Sequence, residues 1–225
     1  MSASLTLTPA FRVSDLDCRL KLAEIIPTVF DTFTPAFTLS IFWENATAEV
    51  GNTVNPARVQ KRPDVKFIDD VPEVSSLTGG VLRDESLVNL KKGMQLTLAL
   101  TDPDAPSRDN PEWSQICHWI ATDVKVTDPS SSSSSSPFKV SGSSEWKEIM
   151  PYKPPGPPPK TGKHRYVFVA LAPANGTTAS LNLSKPGDRQ HWGYKHERQG
   201  LRKWAEENGL VVVGANFIYA QNDEQ

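Results

Sequence analysis

Two aspartates, two histidines and a tyrosine stand at the ends of alternating apolar runs, each set tied to a proline-rich loop. Asp102 and Asp104 lie in "TDPDAPSRDNPEWSQICHW" at 101–119, which leads to His118. His164 and Tyr166 open "HRYVFVALA", directly after "KPPGPPPKTG" at 153–162. By the strand period of two, His118 and Ile120 share one face, and so do His164 and Tyr166. If the two strands are neighbours and both loops leave the same edge, the five side chains converge. A carboxylate that accepts a hydrogen bond from an imidazole favours the imidazolium, which offers a charged donor to an anion. The remaining carboxylate oxygens would hold a cation, so a zwitterion such as a phosphoryl-amine meets both signs. Each residue alone has an ordinary role: Asp-Pro-Asp is a turn sequence, and a histidine on a half-apolar strand is commonly a core residue. Two repeats of the loop-and-histidine pattern favour a binding site.

Other chemistries fit less well. A metal-dependent hydrolase could use Asp and His, but no His-x-x-x-His, His-x-His or Cys-x-x-Cys spacing occurs, so no metal is expected. "GPPPKTGKH" is not a phosphate loop. Five residues separate Gly156 from Gly162, and its prolines lack the N–H groups such a loop requires. No Gly-x-Ser-x-Gly elbow is present. Cys117 adjoins His118, but neighbouring strand residues face opposite ways, so Cys117 is expected to be a buried thiol. "HERQGLRK" at 196–203 reads as a solvated basic face. No catalytic residue and no cofactor is assigned.

The positioning elements follow from periodicity. "SDLDCRLKLAEII" at 14–26 predicts a helix with Ser14 as N-cap. Leu16, Leu20 and Ala23 lie inward, and Leu22, Ile25 and Ile26 widen the stripe before Pro27 stops it. Strands are predicted at 36–43, 64–69, 94–101, 115–126, 146–152, 164–172 and 210–221. "MQLTLALT" at 94–101 is the clearest, with Met94, Leu96, Leu98 and Leu100 on one face. Residues 44–62 are turn-rich. "YKHERQGLRKWAEEN" at 194–208 predicts a second helix, with Leu201, Trp204 and Ala205 inward and Gly209 after its end. The serine run within 128–144 predicts a mobile surface loop. Connections are too short for repeated parallel crossovers, so the sheet should be largely antiparallel.

The chain has 225 residues and a net charge of −2, with 22% charged and 38% apolar residues, which suits one folded domain spanning 1–225. That balance shows no electrostatic footprint for nucleic acid and none for more than peripheral membrane contact. Nineteen prolines favour a loop-rich β protein. The start "MSASLTLTPAF" is not a secretory signal, and the thiols Cys18 and Cys117 are too few for a disulfide framework. A cytoplasmic monomer is expected, and the sequons at Asn45, Asn175 and Asn182 are read as chance matches.

Two segments carry a resemblance: "LTLALTDPDAPSRDNPEWSQICHWIATDV" and "GPPPKTGKHRYVFVAL". Together they resemble the phosphatidylethanolamine-binding protein family, which includes the Raf kinase inhibitor protein and plant flowering-time regulators. "GNTV", "EWSQICH", the segment from "HWGYKHERQG" onward and the N-terminal helical extension (about 1–30) are similar to the fungal carboxypeptidase Y inhibitor branch. The resemblance implies a mainly β fold: a large central antiparallel sheet, a smaller second sheet and peripheral helices near both ends. It also implies an anion pocket for phosphate or phospholipid head groups, lined by Asp102, Asp104, His118, Gly156, Pro158, His164 and Tyr166. Members act mostly as regulators that bind kinases, GTPase regulators or proteases, and are not established catalysts. In the inhibitor branch the extreme N-terminus enters a serine carboxypeptidase, which implies Ser2, Ala3 and Ser4 as partner contacts. Many members place Glu-Trp directly before the pocket histidine. Here Glu112 and Trp113 lie upstream, and Ile116 and Cys117 take that place. Two expectations concern geometry: a cis Ala105–Pro106 bond, and Arg165, on the face opposite His164, in a buried ion pair.

Overall fold

The computed structural model describes residues 13–68, 90–128 and 137–225. Helix α1 covers Val13–Leu22, so Ser14 lies inside the helix and is not its N-cap. The helix also stops short of its apolar stripe. Glu24 turns into the left-handed region at φ 54. The Ile25 amide then reaches Leu20 O and the Glu24 amide reaches Lys21 O, both at 2.9 Å. This is a Schellman closure, with buried Leu20 and Ile25 as its apolar contact. Ile25 and Ile26 are therefore buried beyond the helix, while Leu22 is left 78% exposed.

Among the described residues ten strands follow: β1 (Thr38–Trp43), β2 (Ala46–Thr47), β3 (Asn52–Thr53), β4 (Asp64–Ile68), β5 (Gln95–Asp102), β6 (Ile116–Asp128), β7 (Pro137–Val140), β8 (Lys147–Met150), β9 (Lys163–Pro173) and β10 (Leu210–Gln221). Helix α2 (Leu201–Glu207) precedes the last strand. The order across the sheet is β2-β1-β4-β7-β6-β5-β9-β10-β3, with β8 beside β6. Every pairing is antiparallel except β10 with β3. The long strands β6, β5, β9 and β10 form the large sheet. The smaller sheet, β2-β1-β4-β7, is continuous with it through β7.

The small sheet folds over one face of the large one. Phe37, Leu39, Ile41, Trp43 and Phe67 pack there against Leu96, Leu98, Leu100, Trp119 and Phe168. The opposite face carries Ala99, Cys117, Val167, Val169 and Phe217 and is covered by Leu16 and Leu20 of α1 and by Leu201 and Trp204 of α2. With both faces covered, β5 is buried from Leu96 to Asp102 although its sequence alternates. The curl brings β10 against β1. The Asn216 amide donates to Leu39 O (2.8 Å) and Ala48 O (3.2 Å), and its oxygen accepts from Val50 N (3.1 Å). Gly214 permits this approach, since a Cβ there would come within 2.6 Å of the Phe37 ring.

Two expected segments come out shorter. The loop expected over 128–144 is interrupted by β7 and by a 3-10 turn at Ser143–Glu145. Val140 and Trp146 anchor this region to the core, and residues 129–136 lie outside the described residues. The helix expected over 194–208 is confined to 201–207, because Lys195 and Arg198 adopt φ of 65 and 61. The backbone of this stretch serves tertiary contacts instead: Arg198 N donates to Ser114 O and Gln199 O accepts from Gln115 N. Gly200 then packs so tightly on Gln115 that a Cβ would meet its Oε1 at 2.6 Å.

Candidate anion-binding site

Asp102 is the last residue of β5. Its Oδ1 accepts from the Asp104 amide at 2.7 Å, an aspartate turn that starts the first proline loop. The Ala105–Pro106 bond in that loop is cis, as expected. Oδ2 of Asp102 accepts from His164 Nδ1 of β9 at 2.9 Å. The two histidine strands are not neighbours, because β5 lies between β6 and β9. This brings Asp102 between His118 and His164. Tyr166 completes the group, edge-on to His118 at 5.2 Å and stacked with His164 at 6.3 Å between ring centres. All four side chains are less than 5% exposed.

The second proline loop closes over this group through its backbone. Lys153 N donates to His118 O, and Lys153 O faces His118 Nδ1, each at 2.8 Å. A carbonyl only accepts, so His118 carries its proton on Nδ1 and, when neutral, keeps a lone pair on Nε2. The Gly156 amide donates to the Tyr166 hydroxyl at 3.2 Å. Thr161 Oγ1 donates to Pro158 O at 2.8 Å and lies 3.0 Å from His164 Nε2. Gly156 and Pro158 are themselves exposed and form the rim.

Burial sets the electrostatics. It lowers His118 from its ordinary 6.5 to about 4, against the opposing pull of the Asp102 charge. Burial, and then Asp102, drive the Tyr166 phenol well above its ordinary value, so it is a neutral donor. Cys117 is buried, and its thiol is pushed up to about 12 by desolvation, which makes it a packing residue.

Asp104 departs from the expected lining. It is fully buried on the other side of the strands, where Arg165 Nε, Nη2 and backbone N all donate to its carboxylate. Arg165 Nη1 also caps Ala23 O and Glu24 O at the end of α1, at 2.7 and 2.9 Å. Arg165 thus forms the buried ion pair expected of it, and Asp104 is its partner.

Three positioning groups were not read from the sequence: Thr161, the Lys153 carbonyl and Arg189. Arg189 donates to Cys117 O (2.9 Å), His118 O (3.1 Å) and Pro151 O (2.8 Å), clamping the start of β6 to the second loop. Nothing in "PGDRQHW" signals this, because the acceptors are backbone carbonyls distant in sequence. Ser2, Ala3 and Ser4 lie outside the described residues. Among the described residues, no group of three or more His, Cys, Asp or Glu is placed to hold a metal ion, and no helix is long and apolar enough to cross a membrane.

A family model described as "Phosphatidylethanolamine-binding protein" matches residues 71–218, a span that contains the whole Asp102–His118–His164–Tyr166 group. The chain belongs to the phosphatidylethanolamine-binding protein family. Within that family it is 31% identical to the carboxypeptidase Y inhibitor of Saccharomyces cerevisiae, over 94% of this chain and 96% of the inhibitor. Among solved structures, it resembles a carboxypeptidase Y inhibitor complexed with its cognate proteinase. The TM-score is 0.77 at 27% identity, covering 96% of this chain and 98% of that one. A phosphatidylethanolamine-binding protein from Plasmodium vivax shares the fold, with a TM-score of 0.59 at 18% identity over 92% of this chain.

Proposed function

We propose that this member of the family is a regulatory binding protein that inhibits a serine carboxypeptidase by direct association. The observation that carries this reading is its end-to-end correspondence with the carboxypeptidase Y inhibitor, in sequence and in fold. The inhibitory contact is assigned to the N-terminal segment, Ser2 to Ser4, which occupies the protease cleft without reacting. The test is carboxypeptidase Y activity with the full-length protein and with a form lacking residues 1–10. Inhibition by the full-length protein and its loss on truncation is expected. Unchanged protease activity with the full-length protein would refute the reading.

A second reading rests on the buried group itself. The convergence of Asp102, His118, His164 and Tyr166 beneath an exposed Gly156–Pro158 rim supports a site for a phosphoryl group, free or on a lipid head group. Inorganic phosphate or phosphorylethanolamine should shift the His118 and His164 imidazole signals in NMR. Unshifted signals at millimolar ligand would refute it.

A further inference from the structure

The proton inventory of the buried group restricts what it can bind. The imidazole nitrogens are largely engaged already. His118 Nδ1 faces Lys153 O, His164 Nδ1 faces Asp102, and His164 Nε2 is held against Thr161. The Gly156 amide is taken by the Tyr166 oxygen, and the neighbouring Asp102 charge disfavours ionisation of the Tyr166 hydroxyl. What the group offers beyond these bonds is the neutral Tyr166 hydroxyl and two acceptors, the Asp102 carboxylate and the Nε2 lone pair of His118. A phosphate dianion is also acceptor-only, so placing one against His118 Nε2 and Asp102 sets acceptor against acceptor in a site from which water is largely excluded, even with the Tyr166 hydroxyl donating to it.

One proton resolves this conflict. It can sit on His118 Nε2, turning a lone pair into a charged donor, or on the phosphoryl oxygen, which then donates to that lone pair. Both descriptions have the same composition: protein, phosphoryl dianion and one proton drawn from solvent. We propose that this site takes up its phosphoryl ligand together with one proton, so that the bound species is a phosphate monoanion on neutral His118 or, equivalently, a dianion on His118 imidazolium. The proposal rests on the phosphoryl reading above and adds the protonation state of the ligand.

The groups facing His118 favour uptake only when the anion is present. Asp102 from β5 attracts the extra proton, and Tyr166 of β9 packs edge-on against the ring with His164 stacked on Tyr166. The Lys153 ammonium and the Arg189 guanidinium oppose it from the second loop and from the segment before the 3-10 turn at 191–193. Burial opposes it most, which keeps the ring neutral near pH 7. An incoming anion adds the opposite charge at the one ring nitrogen without a partner among these residues.

The experiment is isothermal titration of the full-length protein with inorganic phosphate, from about pH 6 to about pH 9, in paired buffers of different ionisation enthalpy. Phosphorylethanolamine runs in parallel, so that the tighter ligand identifies free phosphate or a lipid head group as the source. Proton uptake should approach one per ligand once the free ligand is a dianion, and Kd should then rise about tenfold per pH unit. His118→Gln supplies an amide donor that does not titrate, so its uptake should fall to near zero and its Kd should flatten with pH. A wild-type Kd independent of pH, with no proton taken up while the imidazole signals still shift, overturns the proposal and leaves the phosphoryl site standing. Full uptake retained in His118→Gln also overturns it. An absence of binding at every pH removes the site and the proposal together.

Discussion

Asp102 and Asp104 stand two residues apart, both are buried, and each meets a basic residue of β9, yet they do different work. Asp104 faces Arg165, a cation that keeps its proton at any pH at which the protein folds. That pair is saturated: the guanidinium also caps the end of α1, and the carboxylate also takes a backbone amide. Asp102 faces His164, across from a tyrosine and from a second histidine, His118, whose charge can change with a single proton. The side with fixed charge anchors the helix to the sheet. The side with variable charge lies under the exposed rim of the second proline loop. The comparison teaches that neighbouring acids of one motif can part between a saturated ion pair and a group that borders a ring, His118, able to change its charge.

The largest effect should come from breaking the fixed side. Arg165→Met or Asp104→Asn leaves one buried charge without its partner and should lower stability by about 3–5 kcal/mol in urea unfolding at neutral pH. Asp104→Leu combined with Arg165→Met should lose less than either single charge removal, because no charge is then stranded. A single-variant loss below about 1 kcal/mol would place the pair with surface ion pairs and end the comparison.

The variable side should appear as an acid limb. The unfolded His118 takes its proton near 6.5, whereas the folded ring resists until about 4. Between these values the unfolded chain binds more protons, so stability falls as pH drops through the window and is unaffected above it. The full loss corresponds to up to about 3 kcal/mol. His118→Gln should flatten this limb in urea midpoints measured against pH, and an unchanged limb would remove His118 as its source.

The smallest effect tests the edge of the fixed side. Arg108 reaches Glu24 at 2.9 Å, just beyond the carbonyls that Arg165 caps, but both side chains are well exposed. Arg108→Ala should change stability by less than about 1 kcal/mol and less still at high salt. A larger loss would mean that the helix end depends on this outer pair as well as on Arg165.

Much of this arrangement was legible beforehand. The alternation at Phe37 to Trp43 and at Met94 to Leu100 marked both core-facing rows, and the period of two separated His164 from Arg165. The two loop-and-histidine segments marked the buried group of Asp102, His118, His164 and Tyr166. What was not legible depends on partners far away in sequence. Asp104 was expected in the pocket because the family resemblance places it there with Asp102, and the turn after β5 gives its carboxylate to Arg165 instead. Lys195 and Arg198 were expected in a helix because their side chains suit one, but their backbone serves the loop at Ser114 and Gln115. Val140 and Trp146, next to a serine run, became core because the small sheet passes through them. Leu22 belonged to the apolar stripe until Glu24 turned the chain.

The sequence by itself determined the strand faces, the two stiff loops and the residue types available for anion chemistry, because these follow from local periodicity and from the fixed φ of proline. The tertiary structure decided which acid pairs with Arg165, which nitrogen of His118 bears the proton and how far that ring is desolvated. Those properties are set by Arg165, the Lys153 carbonyl, Arg189 and two packed faces of one sheet, and they arise only when β6, β5 and β9 lie side by side.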